Sequence, residues 1–581
     1  MKKNIILSMI AASAVLTACD QDLLEIPQKG VVTTDTFYQT DEDAEAALVA
    51  AYQGFLWNVC TKEGPGIYAP FRACFNLCSD DMYAAGEQFG DNDFMGAMNE
   101  FRYDNGSEVI RNTYNNLYYA IYYSNLVIDN FPNPQTAVQK RAVAEARVLR
   151  AYMHMMLAIG WNCPPLADHV LGAAELPANY GNNDEASHKE LLRWCAKECE
   201  DVLADLDERT SPDDKKGAVK VTKGFANAVA GKAYLFAGDY ENSKAALKRV
   251  IDSGKYQLVP GDRFWQNFHI EGDANEEKVF EANLEVNANI PVFWDIVNRS
   301  TWMESQIWNW RSDHFVANPT TSYSSIDGWG GCGVPQEFAD EMIANDGADS
   351  YRLKATMIPI TEVVYDTKYG IDEIDNMTRE EKQASNKVGI NLKGLYGQSF
   401  YLPLKPVCRT ADLVNPGTNV RVNNFVIMRY AEVLLMYAED CLQTGDAATA
   451  KTYINMIQQR AGSKTISDEV DMNVLKREKR LELWLEGCRW ADLVRWGDID
   501  GVKKAGQNVT VLYDKLSRPV SSTDENVKFN PADDRFYTVT THAAKDRGDK
   551  IGFVQGKHEF FPFPNTVTSK NPNLIQNQGW E

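Results

Sequence analysis

A chain of 581 residues, 44% hydrophobic and 24% charged, has the composition of a globular protein, and its formal net charge is −22. That length accommodates about four domains or one large body built from repeats. So acidic a surface repels nucleic-acid phosphates and anionic lipid alike, which excludes nucleic-acid binding.

The first element is an export signal. Lys2 and Lys3 precede an apolar run over residues 5–16, the layout of a secretory signal. The run is too short to cross ~30 Å of hydrocarbon as a helix. Leu16, Thr17, Ala18 and Cys19 fit the lipobox of a bacterial lipoprotein, so residues 1–18 are expected to be removed and Cys19 acylated. Each buried methylene of an acyl chain contributes about 0.8 kcal/mol, so a multiply acylated Cys19 holds the protein firmly on a membrane. The competing reading is an ordinary signal peptide with an incidental cysteine. Residues 19–30, acidic and without periodicity, read as a tether, and residues 31–581 as the body.

Apolar residues at helical spacing (Ala44, Ala47, Leu48, Ala51, Tyr52, Phe55) predict a helix over residues 41–57. Residues 58–107 follow as a loop-rich insertion. Helical periodicity resumes over 108–160, in "TYNNLYYAIYYSNLVIDNF" and "KRAVAEARVLRAYMHMMLAIGW", and again over 187–253. A second loop-rich insertion, residues 255–424, is dense in Gly, Pro, Asn, Asp and aromatic residues. Loops that long are seldom idle in a compact protein. Residues 425–497 return to helix, ending in the amphipathic "VLKREKRLELWLEGCRWADLVRWG", and residues 498–581 form a tail.

Two helical segments repeat each other. Aligning "GKAYLFAGDYENSKAALKRVIDSG" with "AEDCLQTGDAATAKTYINMIQQRAG" at Gly238-Asp239 and Gly445-Asp446 superimposes Gly231 on Ala438, Ser243 on Ala450, Leu247 on Ile454 and Val250 on Ile457. That is the spacing of a tetratricopeptide hairpin: small residues let paired helices approach, apolar ones fill the seam, and Gly-Asp turns the chain. The fold class is therefore mainly α, with about four tetratricopeptide-like hairpins forming a scaffold that carries a large loop-rich module.

The densest aromatic run, "PVFWDIVNRSTWMESQIWNWRSDHF", holds Phe293, Trp294, Trp302, Trp308 and Trp310, with Asn309, Arg311 and Asp313 between them. Indole faces stack on the C–H face of a sugar ring, while amides and carboxylates meet its hydroxyls. In extended structure Trp308 and Trp310 would face one way. A second candidate, "LCSDDMYAAGEQFGDNDFMG", offers Tyr83, Phe89 and Phe94 beside Asp81, Gln88 and Asn92. The expected ligand platform is Trp302, Trp308 and Trp310, with Tyr83 and Phe94 on a facing loop. The sequence leaves open the alternative that these aromatics pack the module's own core.

Other motifs argue against bound cofactors and metals. "GWGGCG" at residues 328–333 matches GxGxxG but lacks the apolar strand before it that a dinucleotide site needs. "DNDFMG" begins like a calcium loop but has Met95 at its fifth position and Arg102 at its twelfth. There is no HExxH, P-loop or GxSxG. The CxxxC pairs Cys74/Cys78 and Cys195/Cys199 read as free buried thiols in preference to a metal or redox site. The alternating charge of "REKRLELWLEGCR" reads as a solvated or interhelical face. No cofactor and no metal are expected.

Several segments, in order, resemble the SusD/RagB family of nutrient-binding outer-membrane lipoproteins of Bacteroidetes. "LLEIPQKGVVTTDTFYQTDEDAEAALVAAYQGF" is similar to the family's segment after the lipid anchor. "AEARVLRAYMHMMLAIGWNCPPL" is similar to its AEA-x-x-LRA helix, and "MRYAEVLLMYAED" and "REKRLELWLEGCRWADLVRWG" to its C-terminal helices. "FFPFPNTVTSKNPNLIQNQGW" resembles its closing tail. The resemblance implies a tetratricopeptide-like helical fold and an outer-membrane, exterior-facing location through the lipid anchor. It further implies non-catalytic capture of oligosaccharide and its delivery to a SusC-like TonB-dependent transporter. It transfers no ligand residues, because the family's binding positions lie in variable insertions. A peptide-binding member of the same family and a lipid-anchored helical glycosidase or polysaccharide lyase are the competing readings.

If Cys19 is the anchor, Cys19→Ala leaves the folded body intact and moves it out of the membrane fraction. Fractionation and immunoblotting check this, and wild-type recovery in the outer membrane would overturn it.

Overall fold

Helix α1 (Asp41–Phe55) starts with a capping box: the Asp43 amide donates to Thr40 Oγ1 at 3.1 Å, and the Thr40 amide donates to Asp43 Oδ2 at 2.9 Å. Acidic residues crowd its first turn, where the helix dipole favours them. Its apolar stripe of Ala44, Ala47, Leu48, Ala51 and Phe55 is buried. The computed structural model describes residues 37–61, 70–85, 93–286, 288–291, 294–311, 327–359, 362, 398–399, 401–415, 417–506, 508–514, 537–543 and 552–581. Cys19 and the expected tether lie outside them.

Short helices α2 (Pro70–Leu77) and α3 (Asp93–Asn99) follow, and then the scaffold proper. It runs through α4 (Glu108–Asn130), α5 (Ala137–Trp161), α6 (Glu185–Glu200), α7 (Lys223–Phe236) and α8 (Tyr240–Asp252). After the second insertion it resumes with α12 (Tyr430–Gln443), α13 (Ala447–Ala461), α14 (Met472–Glu482) and α15 (Arg489–Arg495). Each helix from α5 to α8 packs on its predecessor, α12 docks on α8, and α13 docks on α12. The result is a tetratricopeptide-like stack in which every unit buries its neighbour's apolar stripe.

The two hairpins aligned by sequence are adjacent in space. Their turns carry Gly238 and Gly445 at φ +72° and +82°, a region an L side chain rarely adopts. A Cβ on Gly231 would lie 2.5 Å from Leu247, so the helices meet closer than any side chain there would allow. Leu247, Val250, Ile454 and Ile457 are fully buried, each contributing about 1.5–3 kcal/mol.

The second insertion contains α9 (Ile296–Trp308), α10 (Gln336–Asp346), α11 (Tyr351–Thr356) and short strands. Strand β2 (Lys278–Ala282) pairs antiparallel with β6 (Phe425–Arg429), which leads directly into α12. Phe280 of β2 stacks on Phe225 of α7 at 4.5 Å and faces Phe55 of α1, so the insertion is rooted in the helical core. Strands β4 (Met357–Pro359) and β5 (Tyr401–Pro403) pair antiparallel, as do β7 (Asn508–Asp514) and β8 (Tyr537–Ala543). A two-residue ladder of β1 (Tyr83–Ala84) with β3 (Cys332–Gly333) joins the first insertion to the second. No helix among the described residues is long and apolar enough to cross a membrane.

Of the two readings of "REKRLELWLEGCR", the interhelical one holds and the solvated one does not. Glu478, Lys479, Arg480 and Glu482 are buried. Arg480 Nε donates to Asp81 Oδ1 at 2.9 Å and Trp484 Nε1 to the Asp81 carbonyl at 2.7 Å, tying the first insertion to α14. The cysteines from Cys60 to Cys488 are free and buried, among them Cys74, Cys78, Cys195 and Cys199, whose CxxxC spacing was read that way.

One buried acid links the repeated hairpins. Ser243 Oγ lies 2.8 Å from the Gly231 carbonyl oxygen and 2.7 Å from Asp440 Oδ2. A hydroxyl has one proton, so both contacts are satisfied when Asp440 is protonated and donates to Ser243 while Ser243 donates to Gly231. Burial, with Glu439 nearby, pushes the Asp440 carboxyl up to about 8 despite the Ser243 contact. An acid with a raised folded pKa stabilises the fold fully below its unfolded pKa of about 4, and that contribution fades as pH rises through about 8. Asp440→Asn, which keeps the donor at all pH values, is expected to flatten stability between pH 4 and 9 and to exceed wild type at the alkaline end. Urea titrations across that range check it; an unchanged slope would contradict it.

Candidate functional site

Helix α9 begins at Asp295, whose carboxylate accepts from the Asn298 amide at 2.8 Å, and runs to Trp308. Its last turn is capped by the "GWGGCG" segment. The amides of Trp329, Gly330 and Gly331 donate to the carbonyls of Gln306, Asn309 and Ile307, filling acceptors that a helix end leaves open. The glycines are steric requirements of this contact. A Cβ on Gly328 would fall 2.2 Å from the Asn309 carbonyl oxygen, and one on Gly333 2.1 Å from the Tyr83 ring. The motif is therefore a helix cap.

This cap brings the two candidate segments together. Beyond it, β3 pairs with β1 at Tyr83 and Ala84, and the Ala85 amide donates to the Gly331 carbonyl at 3.0 Å. Met95, next to Phe94 on α3, and Ile307 of α9 both stand against Gly331. Trp302 and Trp329 meet edge to face, with ring centroids 5.8 Å apart. Both are half-buried, as is Phe94.

Three members of the expected platform are closed to a ligand. Trp308, Trp310 and Tyr83 are 2%, 1% and 2% exposed. Trp308 ends a helix, so it shares a face with Glu304, four residues earlier, and not with Trp310; the extended alternation assumed for the pair does not occur. Tyr83 is covered by Gly333. Asn309, expected at a sugar's edge, is fully buried and clamps the chain: its Nδ2 donates to the Cys408 carbonyl at 2.7 Å and its Oδ1 accepts from the Cys408 amide at 2.9 Å. Asp81 is likewise buried, and burial raises its carboxyl to about 6 against the pull of Arg480. Phe89, Gln88, Asn92, Phe293 and Asp313 lie outside the described residues.

Trp302 and Phe94 keep a partial opening to solvent. To them the structure adds Trp329, hidden in a motif that reads as a glycine turn, and Trp294, which is 84% exposed just ahead of the α9 cap. The signal for Trp294 was available, since Pro291 and the Asp295 cap place it outside the helix. Nothing in the sequence places Trp329 beside Trp302, because the cap that does so is tertiary.

A cavity of about 110 Å³ lies between α2 and β6, lined by Arg72, Lys232, Lys405, Arg421, Phe425, Glu432 and Glu486 among others. Its charges are matched from within: Lys232 to Glu432 at 2.8 Å, Lys405 to Glu486 at 2.6 Å, and Arg72 to Glu304 at 2.5 Å. It falls short of the ~300 Å³ typical of the smallest ligand sites. This cavity is part of the core. No cluster suited to a metal ion occurs among the described residues.

Residues 303–580 match the SusD family model. A SusD-like protein, P38, of Formosa agariphila is 24% identical over 525 residues, covering 85% of this chain and 91% of the relative. Among solved structures, a laminarin-binding SusD-like protein aligns with a TM-score of 0.68 and 21% identity, covering 93% of this chain and 100% of the other. Surface glycan-binding protein A from Bacteroides thetaiotaomicron, in complex with laminarihexaose, aligns with a TM-score of 0.67 and 18% identity over the same shares. At such identities the likeness to solved structures establishes the fold.

Burial sorts these tryptophans for experiment. Trp308→Ala and Trp310→Ala are expected to destabilise the fold by ~3–5 kcal/mol, while Trp294→Ala stays within about 0.5 kcal/mol. Chemical denaturation of the three variants checks the order; equal midpoints would contradict it.

Proposed function

The chain belongs to the SusD family, and from that membership we propose that it is a non-catalytic glycan-binding protein that presents oligosaccharide to a SusC-like TonB-dependent transporter at the outer membrane. The observation that carries the ligand class is the Trp302–Trp329 pair. Two indoles are held at a right angle by a capped helix end, half open to solvent, with Phe94 on the neighbouring helix and Trp294 fully out. Edge-to-face indoles offer one flat face for a sugar ring and one edge to bound it. The supports of this surface are rigid: α9 is capped at both ends and Asn309 is clamped to Cys408. A platform that needs no ordering on binding loses little affinity to conformational entropy.

The names of related proteins make laminarin-type oligosaccharides the first ligands to test. Delivery to a transporter rests on family membership and on the lipobox at Cys19, which also carries the lipid-anchored, exterior-facing location.

On this reading Trp302→Ala weakens glycan binding at least tenfold with little change in melting temperature, in line with the ~1–3 kcal/mol that stacking aromatics contribute at base-binding platforms. A glycan array selects the ligand, and calorimetry on wild type and variant measures the loss. Full affinity in Trp302→Ala would move the site elsewhere, and binding of peptides but no glycan on the array would replace the glycan reading with the peptide one.

A further inference from the structure

The C-terminal tail does more than close the fold. Its asparagines pin it to the scaffold: Asn571 donates to the Pro177 carbonyl at 2.7 Å, and Asn573 to Leu176 at 2.8 Å. Asn179 and the Ile575 backbone bond each other in both directions, at 2.9 and 2.7 Å. Held in this way, the tail forms one wall of a cleft of about 770 Å³ whose other walls are the end of α5, the start of α6, the α7–α8 turn and α15. That volume lies within the ~300–1,000 Å³ of small-ligand sites. It is several times the cavity beside α2 and shares no lining residue with it.

The lining combines rings with amides. Phe236, Tyr240 and Phe560 are half-buried, so each keeps part of its ring open, and Asn162, Gln576 and Gln578 stand beside them. Its basic groups are already engaged within the protein. Lys189 pairs with Glu185 at 2.6 Å, Arg495 with Glu439 at 2.6 Å, and the Lys557 ammonium sits 4.1 Å over the Trp580 ring. Two buried amide oxygens of the wall, on Asn183 and Asn577, have no hydrogen-bond partner among the described residues, a state that buried acceptors rarely keep. Aromatic faces and amides suit a neutral ligand rich in hydroxyl groups, and the carboxylates of Asp184, Glu559 and Glu581 on the same lining disfavour an anionic one.

We propose that this cleft is a second glycan-binding site, taking a short neutral stretch of oligosaccharide, separate from the Trp302 surface. The ligand class rests on the glycan reading above; the location does not. Two sites on one chain convert the second contact with a long polysaccharide into an intramolecular event, so chain length raises affinity without any new contact.

The test uses the full chain in mild detergent and a panel of laminari-, cello-, malto- and xylohexaose with the parent polysaccharides. Gln578→Trp places a bulky side chain at an exposed position of the cleft wall and leaves the core untouched; Tyr240→Ala removes a ring from the other side. Calorimetry on wild type is expected to give two hexasaccharides per chain for the preferred ligand. Either cleft variant and Trp302→Ala are each expected to give one, with at least a tenfold loss of polysaccharide affinity. A wild-type stoichiometry of one that Gln578→Trp leaves unchanged overturns the second site while the glycan reading stands. A stoichiometry of one abolished by Gln578→Trp but kept in Trp302→Ala places the sole site in the cleft and likewise overturns a second one. Absence of binding to every glycan overturns both.

Discussion

A chain of buried charges holds the two halves of this molecule in register. Arg352 of α11 reaches Asp346 at 2.8 Å, Glu478 at 2.5 Å and Glu482 at 3.2 Å. Glu482 also receives Arg429 at 3.1 Å and Arg460. Arg429 and Arg460 share Glu277, and Arg429 continues to Glu486, which Lys405 meets at 2.6 Å. The carboxylates come from β2's approach, α10 and α14; the cations come from α11, β5's exit, β6 and α13. Burial alone would raise the Glu486 carboxyl, yet Arg429 and Lys405 outweigh it and hold it at about 2. A matched network of this kind adds little net stability over an apolar core, but removing one member strands the rest and costs about 3–5 kcal/mol. Its consequence is specificity: only one seating of the insertions on the scaffold pairs every charge.

That seating decides where the open aromatic groups stand. With β2 and β6 rooted against Phe225 and Phe55, and α14 holding Asp81, the two insertions converge at the end of α9. There the helix needs acceptors filled, and the glycine-rich segment fills them. Placement of the open indoles is thus a by-product of capping a helix, and the tryptophans that look alike in sequence part company according to what packs over them around that helix. Trp308 and Trp310 are footing; Trp302, Trp329 and Trp294 are surface.

The same economy explains how a chain of net charge −22 tolerates so many buried guanidinium groups. Arg352, Arg429 and Arg480 are each met by carboxylates inside the fold, and those carboxylates raise their proton affinity above the ordinary arginine value against the effect of burial. Buried acids outnumber buried bases among the described residues, so each buried guanidinium of this set finds a carboxylate partner. So acidic a chain suits neutral polyhydroxylated ligands and discourages polyanions.

What the sequence determined by itself was local and periodic. Gly231 against Leu247, the Gly-Asp turns at Gly238 and Gly445 and the free thiols of the two CxxxC pairs all follow from spacing, because helix geometry places residues three and four apart on one face whatever the surroundings. The scaffold was legible for that reason. The site was not, because its parts are joined by contacts with no sequence period: the β1–β3 ladder, the capping of α9 by residues 329–331, and the Glu-Arg traffic of α14 turned inward. A helix and an extended strand both accommodate "QIWNWR", and only the acceptors left open at the end of α9 settled which tryptophans face solvent. Likewise, the asparagines of the tail read as composition until Pro177, Leu176 and Asn179 stood opposite them. Hydrogen bonds between distant segments carry no local signature, so which aromatic groups stay open to solvent was decided by the tertiary structure alone.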